Sequence, residues 1–197
     1  PVVLVVTLLH SSIDLVPIED LKSKYGFSSK DKLILYVGRF VEEKRPLRAI
    51  EVFSKVHGKD EAYKLIMIGQ GPMHSAIDEC IRGHALEGYV TIVSHIPNKD
   101  MWEFYSMSDC FINLNQQEIF GMAILEAMYY GCKTVAWTAP GPDYIIDDGI
   151  DGYIVRSDDE VIDRILYKGD VSYASRNKIL ECFTWKATAS NIVEVLK

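Results

Sequence analysis

From residue 33 onward, short runs of apolar residues alternate with longer stretches in which apolar positions recur at helical spacing. Residues 33–37 (LILYV) read as a buried strand ended by Gly38, and Pro46 suits the first turn of a helix that runs to about residue 56. The alternation then continues. Residues 64–68, 89–93, 110–114, 133–137 and 153–155 are predicted strands; residues 73–84, 98–107 and 121–131 are predicted helices, the last closed by Gly131. A further helix is expected near residues 143–148, with more helices after residue 155. Strands that are apolar at nearly every position are buried on both faces, and strands separated by helices form βαβ units. The expected fold is therefore α/β, a doubly wound, Rossmann-like parallel sheet of about six strands with helices on both faces. In such sheets ligands bind beyond the carboxyl ends of the strands, so the loops there are the places to look for chemistry. Residues 1–30 precede the alternation: an apolar start (residues 1–9), a polar stretch around Asp14 and Pro17, and a short helical signal over residues 20–25. The organisation expected is a lead-in of residues 1–30 and one domain of residues 31–197.

Composition narrows the function. The chain has 197 residues, 48% hydrophobic and 25% charged, which excludes a disordered or fibrous protein. Its net charge of −7 repels phosphate backbones and argues against nucleic acid as a partner, while a local pocket could still hold a small anion. Residues 1–9 are too few to span a bilayer and lack the basic flank of a signal peptide. Because the chain opens on Pro, a fragment of a longer soluble protein is expected. Cys80, Cys110, Cys132 and Cys182 are widely spaced with no CxxC pair; Cys110 and Cys132 read as reduced core thiols, and a cytoplasmic location follows.

Two motifs invite a reading and then fail it. Residues 69–74 (GQGPMH) follow a strand and open a helix, like a dinucleotide fingerprint with His74 in place of the third glycine. A nicotinamide site would also need a carboxylate after the next strand, which reads Val93-Ser94-His95, and Pro72 removes an amide that would face the pyrophosphate. A tight strand-to-helix turn is the better reading, and an NAD-dependent oxidoreductase is set aside. Residues 147–152 (DDGIDG), with Asp158 in the twelfth position, imitate a calcium loop. Gly149 stands where an oxygen ligand is needed, Asp158 where a bidentate Glu is needed, and a strand follows instead of a helix. This segment is read as a turn.

Two other stretches carry chemistry. Gly38, Arg39 and Lys44 lie in the loop after the first strand, where Arg as a planar fork and Lys as a point charge can converge on one diphosphate. The competing reading is two solvated surface charges. Glu118 lies in the loop after residues 110–114, and a helix begins near Gly121. The amides of Ile119, Phe120, Gly121 and Met122 would point out of that helix end, where a phosphate is stabilised, and Gly121 lets a ligand approach the backbone. Glu126 lies roughly 7–8 Å further along the helix. The two carboxylates thus flank the anion site and can grip the hydroxylated ends of a sugar–diphosphate–ribose.

Glu118 and Glu126 with Phe120-Gly121 between them, followed by Ala127-Met128 and Gly131, resemble the signature of glycosyltransferase family 4 (glycosyl transferase group 1). Residues 37–40 (VGRF) with Lys44 are similar to that family's diphosphate loop, and residues 68–72 (IGQGP) to its second-strand turn. Residues 141–146 (GPDYII) through Asp148, Gly149 and Gly152 resemble the stretch that follows, and residues 183–185 (FTW) the start of its C-terminal crossing helix. The motifs are collinear over roughly residues 11–197. The resemblance implies a retaining hexosyltransferase of the GT-B fold, of which this chain is the C-terminal, donor-binding half, the acceptor domain being absent and the fragment inactive alone. Carried over, Gly38, Arg39 and Lys44 would hold the donor diphosphate, with Arg39, Lys44 and Glu118 supporting catalysis. Glu118 would contact the transferred sugar, the amides of Ile119, Phe120, Gly121 and Met122 its oxygens and the phosphates, Glu126 the ribose hydroxyls, and the backbone near Ile96 the base. The implied partners are an NDP-sugar donor and a glycan or lipid-linked acceptor held by the missing domain, with peripheral association of the full-length enzyme at the cytoplasmic face of a membrane. No metal or other cofactor is expected, since no Asp-x-Asp pair lies in the candidate loops. Two positions depart from the family pattern: Leu114-Asn115 where Pro-Ser is frequent, and Asp143 where Glu is more usual. The rival reading is a nucleotide-sugar binding module without transfer. The motifs are compatible with front-face attack or a covalent intermediate, and with any nucleotide base.

Overall fold

The structure, a computed structural model, describes residues 16–183. Six strands form one sheet in which all neighbours are parallel: β1 (Lys32–Val37), β2 (Tyr63–Ile68), β3 (Val90–Val93), β4 (Cys110–Asn113), β5 (Lys133–Trp137) and β6 (Tyr153–Val155). Their order is β3-β2-β1-β4-β5-β6, so the chain starts at mid-sheet, winds outward, returns and winds the other way. The order reverses between β1 and β4. This is the doubly wound sheet expected from the apolar runs.

Successive strand residues point to opposite faces, and here both faces are covered. In β1, Ile34 and Tyr36 join one hydrophobic cluster and Leu33 and Leu35 the other; in β2, Leu65 and Met67 part from Ile66 and Ile68 in the same way. The first cluster is closed by α2 (Pro46–His57), α3 (His74–Gly83) and α7 (Asp158–Leu166), through side chains such as Phe53, Ile77 and Val161. The second is closed by α1 (Ile18–Lys24), α4 (Met101–Met107), α5 (Met122–Tyr129) and α8 (Ser172–Cys182), through Leu21, Phe104, Leu125 and Ile179. Each such side chain contributes about 1.5–3 kcal/mol over its exposed state. Asp109 ties α1 to the sheet: its carboxylate accepts from Leu33 N at 2.8 Å and pairs with Lys22 at 3.4 Å.

Two expected helices are shifted. The one near residues 143–148 is α6 (Pro140–Ile145). Pro140 sits in its first turn, and Asp147 and Asp148 are drawn instead into the turn before β6. The carboxylate of Asp148 accepts from Ile154 N at 3.0 Å, that of Asp151 accepts from Asp147 N at 2.9 Å, and Lys178 of α8 pairs with Asp147 and Asp151. The calcium-loop lookalike is therefore a turn whose acids are in structural use. The helix expected over residues 98–107 opens as a 3-10 turn (Asn98–Asp100), because the Pro97 carbonyl accepts from Asp100 N at 2.8 Å before α4 begins. Cys110 and Cys132 are buried as read, and burial pushes the Cys110 thiol up to about 12. No helix among the described residues is long and apolar enough to cross a membrane. The apolar start (residues 1–9) and Thr184-Trp185 lie outside the described residues.

Candidate functional site

The loops after β1 and β4 leave the sheet on either side of the point where strand order reverses, the place where such sheets open a crevice for ligands. The first loop is held rigidly by its neighbour. Gly38 N donates to Ile68 O at 3.0 Å, Phe40 N to Gln70 O at 2.9 Å, and Met73 N to Phe40 O at 3.1 Å. The loops after β1 and β2 are thus zipped together, with Phe40 fully buried. A Cβ at position 69 would lie 1.9 Å from the Gly38 carbonyl oxygen, and one at position 71 would lie 2.5 Å from that of Phe40. The two glycines of the GQG stretch are demanded by this contact, which fits the reading as a tight turn. Further on, Tyr36 donates to the carbonyls of Arg39 and Lys44 at 3.3 and 3.2 Å, closing the loop around its own strand.

Lys44 ends a 3-10 turn (Glu42–Lys44), and its ammonium reaches across to Glu118 at 2.6 Å. Sequence reading assigned these two groups to different parts of a ligand; the structure pairs them with each other. The same carboxylate oxygen, Oε2, accepts from the side-chain amides of Asn113 and Asn115, each at 3.3 Å, while Oε1 accepts from Gly121 N at 3.4 Å. Gly121 is in the left-handed region (φ 69°) and caps α5. Of the four amides expected to face outward, that of Gly121 is therefore engaged by Glu118; those of Ile119, Phe120 and Met122 make no backbone bond among the described residues. Burial disfavours ionisation of Glu118, but Lys44, Asn113 and Asn115 outweigh it and hold the carboxyl below its ordinary range. A group held low stabilises the fold above its unfolded range and loses that contribution as pH falls through its folded value. Lys44→Met should therefore cost about 1.5–3 kcal/mol at neutral pH. Urea melts at successively lower pH should show that cost fading; a cost independent of pH would refute the pairing.

Beside the pair, Arg45 takes a left-handed backbone (φ 54°), donates to Gln116 at 2.6 Å and lies over the Trp137 ring. A cleft of about 630 Å³ adjoins this contact, lined by Glu42, Arg45, Arg48, Asn115 and Trp137. Arg39 is exposed and makes no ion pair among the described residues. Ile96 lies past the carboxyl end of the edge strand β3, half-buried against the second cluster. Ile119, Phe120 and Met122 are exposed apolar side chains at the mouth.

Glu126 lies on α5, one turn beyond Gly121. Its Oε2 accepts from the hydroxyl of the buried Tyr105 at 2.8 Å, and burial, only partly offset by that bond, raises its carboxyl above the ordinary value. Four contributors escaped the sequence reading. Asn113, Asn115 and Tyr105 contact carboxylates across distances that only topology reveals, although Asn115 stood out as a departure. Gly141 lay within a quoted motif. Its N–H donates to Glu118 O at 2.8 Å, and a Cβ there would come within 2.8 Å of the Ile119 carbonyl carbon, so a glycine lets α6 dock on the Glu118 loop.

Comparison with known proteins shows the family and the fold. The profile of the family described as "Glycosyl transferases group 1" matches residues 17–167. N-acetyl-alpha-D-glucosaminyl L-malate synthase of Bacillus anthracis is 29% identical over 139 residues, covering 71% of this chain and 36% of that relative. The chain spans well under two thirds of the length of the curated relatives it matches first. Among solved structures, Anabaena HepE in complex with UDP superposes with a TM-score of 0.81 at 17% identity, over 95% of this chain and 53% of that one. The C-terminal domain of a glycosyl transferase group 1 family protein (LpcC) from Francisella tularensis superposes with a TM-score of 0.74 at 17% identity, over 86% of this chain and 94% of that one.

Proposed function

The chain belongs to the group 1 glycosyl transferases, and on that premise we propose that it is the nucleotide-sugar-binding half of a retaining enzyme that moves a hexosyl group to a glycan or glycolipid acceptor. The observation that carries this reading is the meeting of Lys44, Glu118 and the N-terminus of α5 at the point where strand order reverses. A nucleoside diphosphate entering there meets Arg39, Lys44 and the outward amides of α5, which stabilise the negative charge that develops on the leaving diphosphate. Glu118 faces the transferred sugar and supports its developing positive charge. Glu126, one turn down the same helix, receives the ribose hydroxyls. UDP is the nucleotide to try first, because HepE was crystallised with it. The competing module without transfer would bind equally and never turn over.

The test is calorimetric titration of the 197-residue chain with UDP, GDP and ADP, alongside thermal shift. A nucleotide at 100 times its dissociation constant adds about 2.7 kcal/mol of stability. Glu126→Ala should weaken UDP binding by about 1.5–3 kcal/mol, the worth of hydrogen bonds to a charged acceptor, in a chain that still folds. Unchanged affinity in a folded variant would remove Glu126 from the site. Binding should also survive EDTA, since cationic side chains and amides supply the positive field; binding abolished by EDTA and restored by magnesium would refute this.

A further inference from the structure

Tyr105 is a phenol in an apolar place. It lies on α4, 1% exposed, between Phe111 of β4 (edge-on, 6.0 Å between ring centroids) and Tyr130 (stacked, 5.9 Å). Packing alone would be served as well by phenylalanine, and a hydroxyl taken from water without a partner is destabilising. Its partner is Glu126, on the neighbouring helix, through the 2.8 Å bond to Oε2. That bond crosses from α4 to α5 and fixes one carboxylate oxygen; Oε1 makes no hydrogen bond among the described residues. A glutamate has three rotatable side-chain bonds, and holding it in one arrangement before a ligand arrives lowers the entropy lost on binding.

We propose that Tyr105 is a positioning residue for nucleotide recognition: by holding Oε2 of Glu126 it presents Oε1 to the two ribose hydroxyls, so that the chain distinguishes ribose from its dideoxy counterpart. This rests on the reading of Glu126 as the ribose acceptor. Tyr105 touches no ligand and acts only through the carboxylate. The reach from a buried tyrosine to a half-buried glutamate makes sugar discrimination a property of the α4–α5 contact and not of the mouth of the site.

The experiment titrates UDP and 2′,3′-dideoxy-UDP into the wild-type chain and into Tyr105→Phe, which keeps the ring and removes only the hydroxyl. The wild type should prefer UDP by about tenfold or more, the worth of a hydrogen bond or two to a charged group. In Tyr105→Phe the preference should fall at least about threefold, through weaker UDP binding, with dideoxy-UDP affinity unchanged. A purely structural role would weaken both nucleotides equally and leave the ratio intact; that result overturns the proposal, as does a variant identical to wild type. A wild type that does not distinguish the two nucleotides overturns the ribose reading of Glu126 and the proposal with it. Should the variant melt below the assay temperature, the ratio is read for both proteins in trimethylamine N-oxide, which favours the folded chain.

Discussion

Gly69→Ala is expected to destabilise the protein severely. The added methyl would sit 1.9 Å from the Gly38 carbonyl oxygen and 3.2 Å from the Phe40 ring, and the first of these is backbone that is itself hydrogen-bonded to β2. Neither group can swing aside as a side-chain tip would. Relief requires unzipping the loops after β1 and β2, which exposes Phe40 and strands several amides. Overpacking typically costs about 1–3 kcal/mol and more where backbone must move, a large share of the total stability of about 5–15 kcal/mol of a domain. Gly88→Ala is the control: a Cβ there meets nothing within 4 Å, and its effect should stay within about 0.5 kcal/mol. Chemical denaturation of the two variants decides the matter. Equal midpoints would mean that the loops do not interlock.

The second large effect is a loss of function in the chain as it stands. A polypeptide of these 197 residues should fold, bind UDP and fail to transfer sugar. The sheet is covered on both faces among the described residues; Arg39, Lys44 and Glu118 lie on loops after its strands and Glu126 on α5 packed against it. Transfer asks for more: an acceptor held in line with the donor and water kept out. Orientation alone is worth about 7–11 kcal/mol, and on the proposed reading it comes from the part of the relatives' length that these residues do not cover. The assay incubates the chain with a UDP-sugar it demonstrably binds and candidate acceptors, and follows nucleotide release. Multiple turnovers yielding glycosylated acceptor would show that one half suffices.

Much of the fold was legible because its signals are local. LILYV and KLIMI are apolar on both parities, which only a doubly covered strand tolerates, and Pro46 announces the start of α2 by its fixed φ and missing donor. The GQG stretch was legible as a turn, but its cause was not: the glycines answer to the neighbouring loop, a contact that exists only once β1 and β2 lie side by side. The site divides in the same way. Residue types and spacing brought Glu118, Gly121 and Glu126 to one helix end. The Lys44–Glu118 pair spans 74 residues and follows from the strand order, which the pattern of strands and helices does not encode. Asn115 is instructive, since as a letter it was a departure from a family pattern, and in space it is a donor to Glu118.

The ion pair at the crevice has a kinetic consequence. Lys44 meets its counterion before any ligand comes, and among the groups assigned to the nucleotide two cations and two carboxylates cancel. The whole chain carries −7. An incoming nucleotide therefore feels no long-range pull from the crevice and a net repulsion from the chain as a whole, so its encounter should quicken modestly as ionic strength rises and screens that repulsion. Recognition is exercised after arrival, when the diphosphate shares Lys44 with Glu118 and the ribose reaches Glu126. Differences among nucleotides will consequently appear in how long each stays, and scarcely in how fast each arrives.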